Sequence, residues 1–127
     1  DIEELFFVDS AGTGGWHVGN LADSRMRESA LSRGIELTSR SRQIKENDLD
    51  EFDHIIVMDK DNLHAVQSLI KDHKNPSNSQ IKLILSYSKN SQLQEVPDPY
   101  YGGQNGFDKV LDLLDDAIDG LIDSLMV

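Results

Sequence analysis

The chain has 127 residues, of which 38% are hydrophobic and 28% charged, and this composition is typical of one folded domain over residues 1–127 rather than of a disordered protein. The formal net charge of −11 repels nucleic acid and anionic membranes, so neither is expected as a partner, and any phosphate site has to be a local basic or amide-lined pocket. The absence of cysteine excludes disulfides, thiolate–zinc sites and a cysteine nucleophile within these residues, and the four histidines lack the spacing of metal ligands.

The chain opens with a predicted strand and a glycine-rich loop. Residues 5–8 are an apolar run that ends at Asp9 and Ser10, which is typical of a buried strand. The loop that follows is predicted from closely spaced glycines, namely Gly12, Gly14, Gly15 and Gly19.

Two helical segments are predicted next. Residues 24–33 have apolar side chains at helical spacing, and Gly34 stands where a left-handed residue would end the helix. Residues 47–52 are predicted to form a helical turn that begins at Asn47. The side chains expected on the inner face of the first helix are Met26, Ala30 and Leu31.

The middle of the chain predicts a strand, a helix and another strand. Residues 55–58 are apolar and rich in β-branched side chains, and Asp59 follows at the carboxyl end of this strand. A helix is predicted over residues 61–71, a loop over 75–78 and a strand over 81–85. The helix is expected to bury Leu63, Val66 and Ile70.

The last part of the chain is predicted to be a shaped loop followed by a long amphipathic helix. Residues 96–106 contain two of the three prolines and three glycines, which indicates a loop. The helix is predicted from apolar residues that recur every three or four positions: Phe107, Val110, Leu111, Leu114, Ala117, Ile118, Leu121, Ile122 and Leu125. Its acidic side is most simply a solvated face, formed by Asp108, Asp112, Asp115, Asp116, Asp119 and Asp123.

The alternation of strands and helices predicts the fold class. It indicates a three-layer α/β fold, in which helices cover both faces of a parallel sheet. In such sheets the loops at the carboxyl ends of the strands meet at one edge and form the functional site. The loops after residues 5–8, 55–58 and 81–85 are expected there, which would bring Ser10 and Asp59 to the same edge.

Asp98 is the clearest candidate for chemistry. It lies between Pro97 and Pro99, whose rings fix their own φ angles, and Pro99 also keeps Asp98 out of helical geometry. Tyr100 and Tyr101 place aromatic surface directly after it. The arrangement suits a general acid, while spacing alone favours the simpler interpretation of a rigid turn with an exposed carboxylate.

The ordered set of motifs resembles the low molecular weight protein tyrosine phosphatases. The stretch from Asp98 to Gly102 has the Asp-Pro-Tyr-Tyr-Gly pattern of that family's acid loop. The agreement in order and spacing extends from residue 7 to the last helix. The other segments that carry the resemblance are residues 8–13, Trp16, 18–19, 41–44, 52–53, 58–59 and Asn62.

The resemblance implies a fold and an activity. The fold is that of the phosphotyrosine protein phosphatase I-like α/β proteins, and the activity is hydrolysis of phosphotyrosine through a phosphocysteine, with no cofactor. In this family a loop cysteine attacks phosphorus, while a loop arginine and backbone amides hold the phosphoryl oxygens. The acid-loop aspartate protonates the departing phenolate and then activates water.

The resemblance also implies roles for individual residues. Asp98 is the implied general acid, and Ser10 and Asp59 are implied to brace the phosphate loop. A strand-end turn at Ser10 and a helix cap at Asp59 are the simpler alternatives for those two residues. The residues implied to hold the substrate ring between aromatic walls are Trp16, Tyr100 and Tyr101, and for Trp16 an aromatic side chain that caps the core is the alternative.

The chain departs from the family pattern at its beginning and at individual positions. The first strand, the Cys-x5-Arg phosphate loop and the helix that open the family's domain do not occur in this chain, which starts at Asp1. We therefore expect the central first strand to be absent and the 127-residue chain to be inactive. Ser39 stands where many members have a histidine that supports the phosphate loop, and His17 where asparagine or glutamate is common.

Two other interpretations compete with a phosphatase. Arsenate reductases of the same fold rank lower because they need several reactive cysteines, and this chain has none. A natural short form without the nucleophile would be a binding or regulatory protein. An in-frame Cys-x5-Arg upstream of residue 1 would favour the phosphatase over the short form.

Partners and location follow from the same features. Expected partners are phosphotyrosine proteins or small aryl phosphates, and the sequence leaves the oligomeric state open. No apolar run approaches the roughly 20 residues that span a bilayer, and the first residues lack the pattern of a secretion signal. The predicted location is the cytoplasm.

Overall fold

The computed structural model describes residues 5–15, 18–73, 79–99 and 103–126. The helices are α1 (Ser24–Leu31), α2 (Asp48–Glu51), α3 (Lys60–Asp72) and α4 (Gly103–Leu125). The strands are β1 (His54–Val57) and β2 (Gln80–Leu83), and a 3₁₀ helix follows β2 at Ile84–Tyr87. Within these ranges, no helix combines the length and the apolar character that crossing a membrane requires.

The sheet separates two layers of helix, as the alternation of elements predicts. β1 and β2 are parallel, with Ile55 paired to Ile81, and α3 connects them. Ile55 and Val57 pack in the cluster that α3 completes, whereas Ile56 packs in the cluster that α4 completes. Because successive side chains of a strand point to opposite faces, α3 and α4 cover opposite sides of the sheet. The predicted three-layer α/β arrangement is confirmed.

α1 stops at Leu31 rather than at residue 33, but the glycine predicted to end it has the expected left-handed conformation. Gly34 has a φ of +80°, in the left-handed region that a side chain would make costly. The next N–H, from Ile35, reaches back to the Ala30 carbonyl oxygen at 2.9 Å and closes the last turn. Ala30 is fully buried, but Leu31 is 62% exposed, so the prediction that Leu31 faces inward is wrong.

α4 lies very close to the 3₁₀ helix that follows β2. Gly120 makes this approach possible, because a Cβ atom at that position would overlap the Tyr87 carbonyl oxygen. Next to it, Ala117 is fully buried against Ile84 and Leu85 of the 3₁₀ helix. Small side chains on one face of α4 therefore set the distance between the helix and the sheet layer.

The predicted strand at residues 5–8 does not form. None of the described residues from 6 to 10 is in a strand, and Phe7 and Val8 are 82% and 84% exposed. A strand needs a neighbour that takes up its N–H and C=O groups, and the described residues offer none beside this run. Its contact is instead local: the Phe7 ring stacks on Phe52 with ring centroids 5.8 Å apart.

The limits of two elements and the exposure of one apolar side chain differ from the sequence prediction. The strand predicted over 81–85 ends at Leu83, because the chain turns into the 3₁₀ helix and buries the next two apolar residues there. α4 begins at Gly103 rather than Phe107, so part of the predicted loop over 96–106 is helical. Ile118, predicted to face inward, is 42% exposed at the edge of the apolar stripe. The loop predicted over residues 75–78 lies outside the described residues.

Candidate active site

The loop that carries Asp98 is attached to the carboxyl end of β1. Val96 N–H donates to the carbonyl oxygen of Met58 at 2.9 Å, and Met58 is the residue after the last residue of β1. Asp98 follows two positions later and is exposed. The structure therefore places Asp98 near the sheet edge at which ligands of α/β proteins bind.

The other end of the same loop rests on α4. A Cβ atom at Gly106, in the first turns of α4, would overlap the carbonyl oxygen of Pro99. Gly106 itself is buried, so the backbone of the loop packs directly against the helix. Asp98 is thus held between an attachment to β1 and a close contact with α4.

Asp59 caps α3. It is the residue before the first helical position, and its Oδ1 accepts the N–H of Asn62 at 2.8 Å. This is the helix-capping arrangement that the sequence offered as the simpler alternative, and it satisfies one of the amides that a helix start leaves without a partner. Because Asp59 directly follows Met58, the contact of Val96 with Met58 brings the segments that hold Asp59 and Asp98 together.

Glu95 is a residue of this region that sequence reasoning missed. Its Oε1 accepts the N–H of Lys60, the first residue of α3, at 2.8 Å. The only signal in the sequence is its position directly before the Val-Pro-Asp-Pro stretch. In a chain with 23 acidic residues, that position did not set Glu95 apart from the solvated carboxylates.

Ser10 belongs to a different set of contacts, centred on Arg42. Ser10 N–H donates to Asp9 Oδ1 at 2.8 Å, and the other oxygen of Asp9 accepts from Arg42 Nε at 3.2 Å. The remaining guanidinium nitrogens of Arg42 donate to both carboxylate oxygens of Asp48, at 3.0 and 3.1 Å. This bidentate pair fixes the turn that carries Ser10 to the start of α2.

The charges of that pair are reinforced by their surroundings. Burial of Asp48 raises its pKa, but hydrogen bonds from Arg42 and from the Lys45 N–H outweigh burial, so the pKa of Asp48 lies below its ordinary value. The hydrogen bond to Asp48 likewise raises the pKa of Arg42. Both groups therefore stay ionised throughout the neutral pH range. The Arg42–Asp48 pair does not depend on pH in that range.

Ser10 lines an open cavity of about 490 Å³. Gly12 also lines this cavity. Its N–H donates to the Arg42 carbonyl oxygen and its own carbonyl oxygen accepts the Ile44 N–H, both at 2.8 Å, which holds the Gly-rich loop beside residues 41–44. Hydroxyl groups are frequent in the lining, which also includes Thr38, Ser39, Arg40 and Ser41. Ser39 thus lines the same cavity as Ser10.

Only some of the predicted site residues can be placed. Asp59 and Asp98 lie on segments in direct contact, and Ser10 lies on the loop beside the cavity. Trp16, Tyr100 and Tyr101, like His17, lie outside the described residues, so their roles as aromatic walls or substrate contacts stay predictions. Within the described part of the chain, no group of three or more His, Asp or Glu side chains could hold a metal ion.

Comparison with known proteins gives a consistent picture. A family model described as low molecular weight phosphotyrosine protein phosphatase matches residues 2–126. A putative low molecular weight protein-tyrosine-phosphatase of Synechocystis is 45% identical over 117 residues, which are 92% of this chain and 73% of that protein. A low molecular weight protein-tyrosine-phosphatase of Bacillus subtilis is 41% identical over 125 residues, 98% of this chain and 77% of that protein.

Solved structures agree with the sequence relatives. The crystal structure of a protein tyrosine phosphatase from Entamoeba histolytica, with Hepes in its active site, is similar with a TM-score of 0.88 and 39% identity. The match covers 97% of this chain and 77% of that chain. The crystal structure of YfkJ from Bacillus subtilis is similar with a TM-score of 0.81 and 39% identity. The match covers 93% of this chain and 72% of that chain.

Proposed function

Because the chain belongs to the low molecular weight phosphotyrosine protein phosphatase family, we propose that its acid loop serves the hydrolysis of phosphotyrosine, with Asp98 as the general acid. The observation that carries this proposal is the hydrogen bond from Val96 N–H to the Met58 carbonyl oxygen, 2.9 Å long. It attaches the acid loop to the carboxyl end of β1, where a substrate of an α/β protein binds. Asp98 is exposed there, as a group that gives its proton to a bound ester needs to be.

The proposed reaction has two steps, and Asp98 takes part in both. A cysteine thiolate attacks phosphorus and the ester bond breaks, while Asp98 gives its proton to the departing phenolate oxygen. The Asp98 carboxylate then removes a proton from water as the water oxygen attacks the phosphocysteine. Phosphate leaves, the thiolate is restored and Asp98 is protonated again.

The 127 residues contain no cysteine, so the nucleophile is proposed to come from outside them. We propose that a Cys-x5-Arg segment supplies the thiolate and the phosphate-binding arginine. The open cavity beside Ser10 and Ser39 is the proposed place for that segment, since its lining offers hydroxyl groups that can hydrogen-bond a loop backbone. The chain alone is proposed to have no phosphatase activity.

The substrates proposed for the complete site are phosphotyrosine proteins and small aryl phosphates. Trp16, Tyr100 and Tyr101 are the proposed walls around the phenyl ring, which would favour aromatic over alkyl esters. Asp59 would support the phosphate loop only with its second oxygen, since Oδ1 is used as the cap of α3. The proposed location is the cytoplasm.

The test compares two proteins of identical sequence over residues 1–127. One is the chain itself, and the other, here called the joined chain, carries a Cys-x5-Arg segment of the family ahead of residue 1. Only the joined chain is expected to hydrolyse p-nitrophenyl phosphate and phosphotyrosine peptides. A joined chain that unfolds cooperatively yet shows no turnover would contradict the phosphatase and favour a binding or regulatory protein. Turnover by pure chain alone would contradict the proposed source of the nucleophile.

A further inference from the structure

Two carboxylates share the first turn of α3. Asp59 accepts the N–H of Asn62, and Glu95 accepts the N–H of Lys60, each at 2.8 Å. The first amides of a helix have no partner within the helix, and the helix dipole favours negative charge beside them. Asp59 is a local cap, whereas Glu95 lies 35 residues after Lys60, whose N–H it accepts. The contact of Glu95 is therefore a tertiary attachment of the acid loop to α3.

The segment between Glu95 and Asp98 is stiff. Val96 is tied to Met58 by its N–H, and Pro97 and Pro99 fix the φ angles on both sides of Asp98. A chain with so few free torsions passes a displacement at one end on to the other. Loss of the Glu95 contact would leave only one of these two attachments, the Val96–Met58 hydrogen bond, and Asp98 is therefore expected to be held less precisely.

We propose that Glu95 is a positioning residue for Asp98, which holds the acid loop on the first turn of α3. This inference rests on the proposed function, because the position of Asp98 matters to a reaction only if Asp98 transfers the proton. Glu95 itself transfers no proton and needs only an oxygen that accepts the Lys60 N–H. A glutamine side chain offers such an oxygen at the same reach, while alanine offers none.

Amide hydrogen exchange in the 127-residue chain tests the attachment without any assumption about function. In Glu95→Ala, exchange at Lys60 and Val96 is expected to become about three- to tenfold faster, the effect of losing one solvent-exposed hydrogen bond. Glu95→Gln is expected to restore rates close to those of the original chain. Glu51→Ala, which removes an exposed carboxylate from the end of α2, is the matched control and is expected to leave both amides unchanged. Unchanged rates in Glu95→Ala would overturn the proposal.

Kinetics of the joined chain test the consequence for Asp98. Glu95→Ala is expected to lower kcat for phosphotyrosine by about three- to tenfold, with KM and Tm nearly unchanged, and Glu95→Gln to recover it. In an Asp98→Ala background, Glu95→Ala is expected to have no further effect on kcat. An equal loss in both backgrounds would overturn the positioning role. If instead Asp98→Ala alone leaves turnover intact, the proposed function fails, and the exchange rates still decide whether Glu95 holds the loop.

Discussion

Gly120 of α4 lies directly against the carbonyl oxygen of Tyr87, at a distance that leaves no room for a Cβ atom. The contact joins the long C-terminal helix to the 3₁₀ helix after β2, beside the fully buried Ala117. Glycine is a poor helix former, so at this position close packing outweighs helix propensity.

Gly120→Ala is expected to destabilise the protein, although alanine favours the helix. The added methyl group must push α4 away from Tyr87, and overpacking of this kind costs about 1–3 kcal/mol. Urea denaturation measures the change, and Ser124→Ala, at an exposed position of the same helix, is expected to stay within about 0.5 kcal/mol of the original chain. A gain in stability for Gly120→Ala would mean that the helix and the 3₁₀ helix do not pack as the structure has them.

Arg33 connects the end of α1 to α4 and provides a second test of that packing. Its Nη1 donates to Asp112 Oδ1 at 2.8 Å, its Nη2 donates to the Asp108 carbonyl oxygen at 3.0 Å, and Asp115 lies 3.6 Å away. Arg33→Gln is expected to lower Tm by a few degrees, and the loss is expected to shrink in about 1 M salt, which screens exposed charges.

The control for Arg33 is Lys109, an exposed cation on α4. Lys109→Gln removes the same charge from the same acidic surroundings without removing the contact between α1 and α4. If both variants lose the same Tm, the effect comes from net charge alone, and the connection between the helices contributes nothing.

His73 is expected to make stability depend on pH. Its Nε2 lies 3.0 Å from Asp50 Oδ1, and its Nδ1 lies 3.6 Å from Glu46 Oε2. The hydrogen bond to Asp50 raises the pKa of His73 above its ordinary value of 6.5, burial opposes the rise, and Glu46 adds to it. A raised pKa in the folded state means that stabilisation is complete below the ordinary pKa and is lost as pH rises through the folded value.

The measurement is the Tm difference between the original chain and His73→Gln. It is expected to be largest below pH 6.5, the ordinary pKa of His73, and to be lost as the pH rises through the higher pKa of the folded state. His64→Gln, on the exposed side of α3, is the matched control, and the same pH dependence in both variants would mean that the effect is not specific to His73. A difference that grows with pH would mean that neutral, rather than charged, His73 stabilises the fold.

Much of the fold could be predicted because local patterns and tertiary structure agree. β1 forms from a β-branched run, and α3 forms from the helical spacing of Leu63, Val66 and Ile70. These two elements pack against each other in one core cluster, so neither depends on a distant part of the chain. The left-handed conformation of Gly34 could be predicted as well, since it depends on the backbone freedom of glycine itself. These elements appear within one or two residues of their predicted positions.

The misses concern features that depend on distant parts of the chain. The apolar run at residues 5–8 reads as a strand, but pairing is decided by a neighbour that the sequence pattern does not name. Leu31 follows the helical spacing of the apolar residues in α1. It stays exposed because none of the described residues packs closely enough against that side of the helix to bury it. Glu95 resembles any surface acid until Lys60 of α3 is placed beside it. Asp98 could be singled out from the sequence because its neighbouring prolines make it locally unusual, and its role stays a prediction.

The role proposed for Asp98 predicts how the joined chain responds to different leaving groups. A phenolate that leaves easily needs little protonation, whereas the phenol of phosphotyrosine has a pKa of about 10 and needs a proton in the transition state. Asp98→Ala is therefore expected to lower kcat/KM about 10²–10⁴-fold for phosphotyrosine and far less for activated esters such as p-nitrophenyl phosphate. Asp98→Asn keeps the shape of the side chain but has no proton to give, so it is expected to match Ala.

The measurement is kcat/KM for both variants over a series of aryl phosphates. Asp61→Asn, which changes an exposed acid of α3, is the control of equal charge change. A loss that rises with the pKa of the leaving group identifies proton delivery, because only that step depends on how badly the oxygen needs a proton. A loss of equal size for every ester would mean that Asp98 shapes the loop instead.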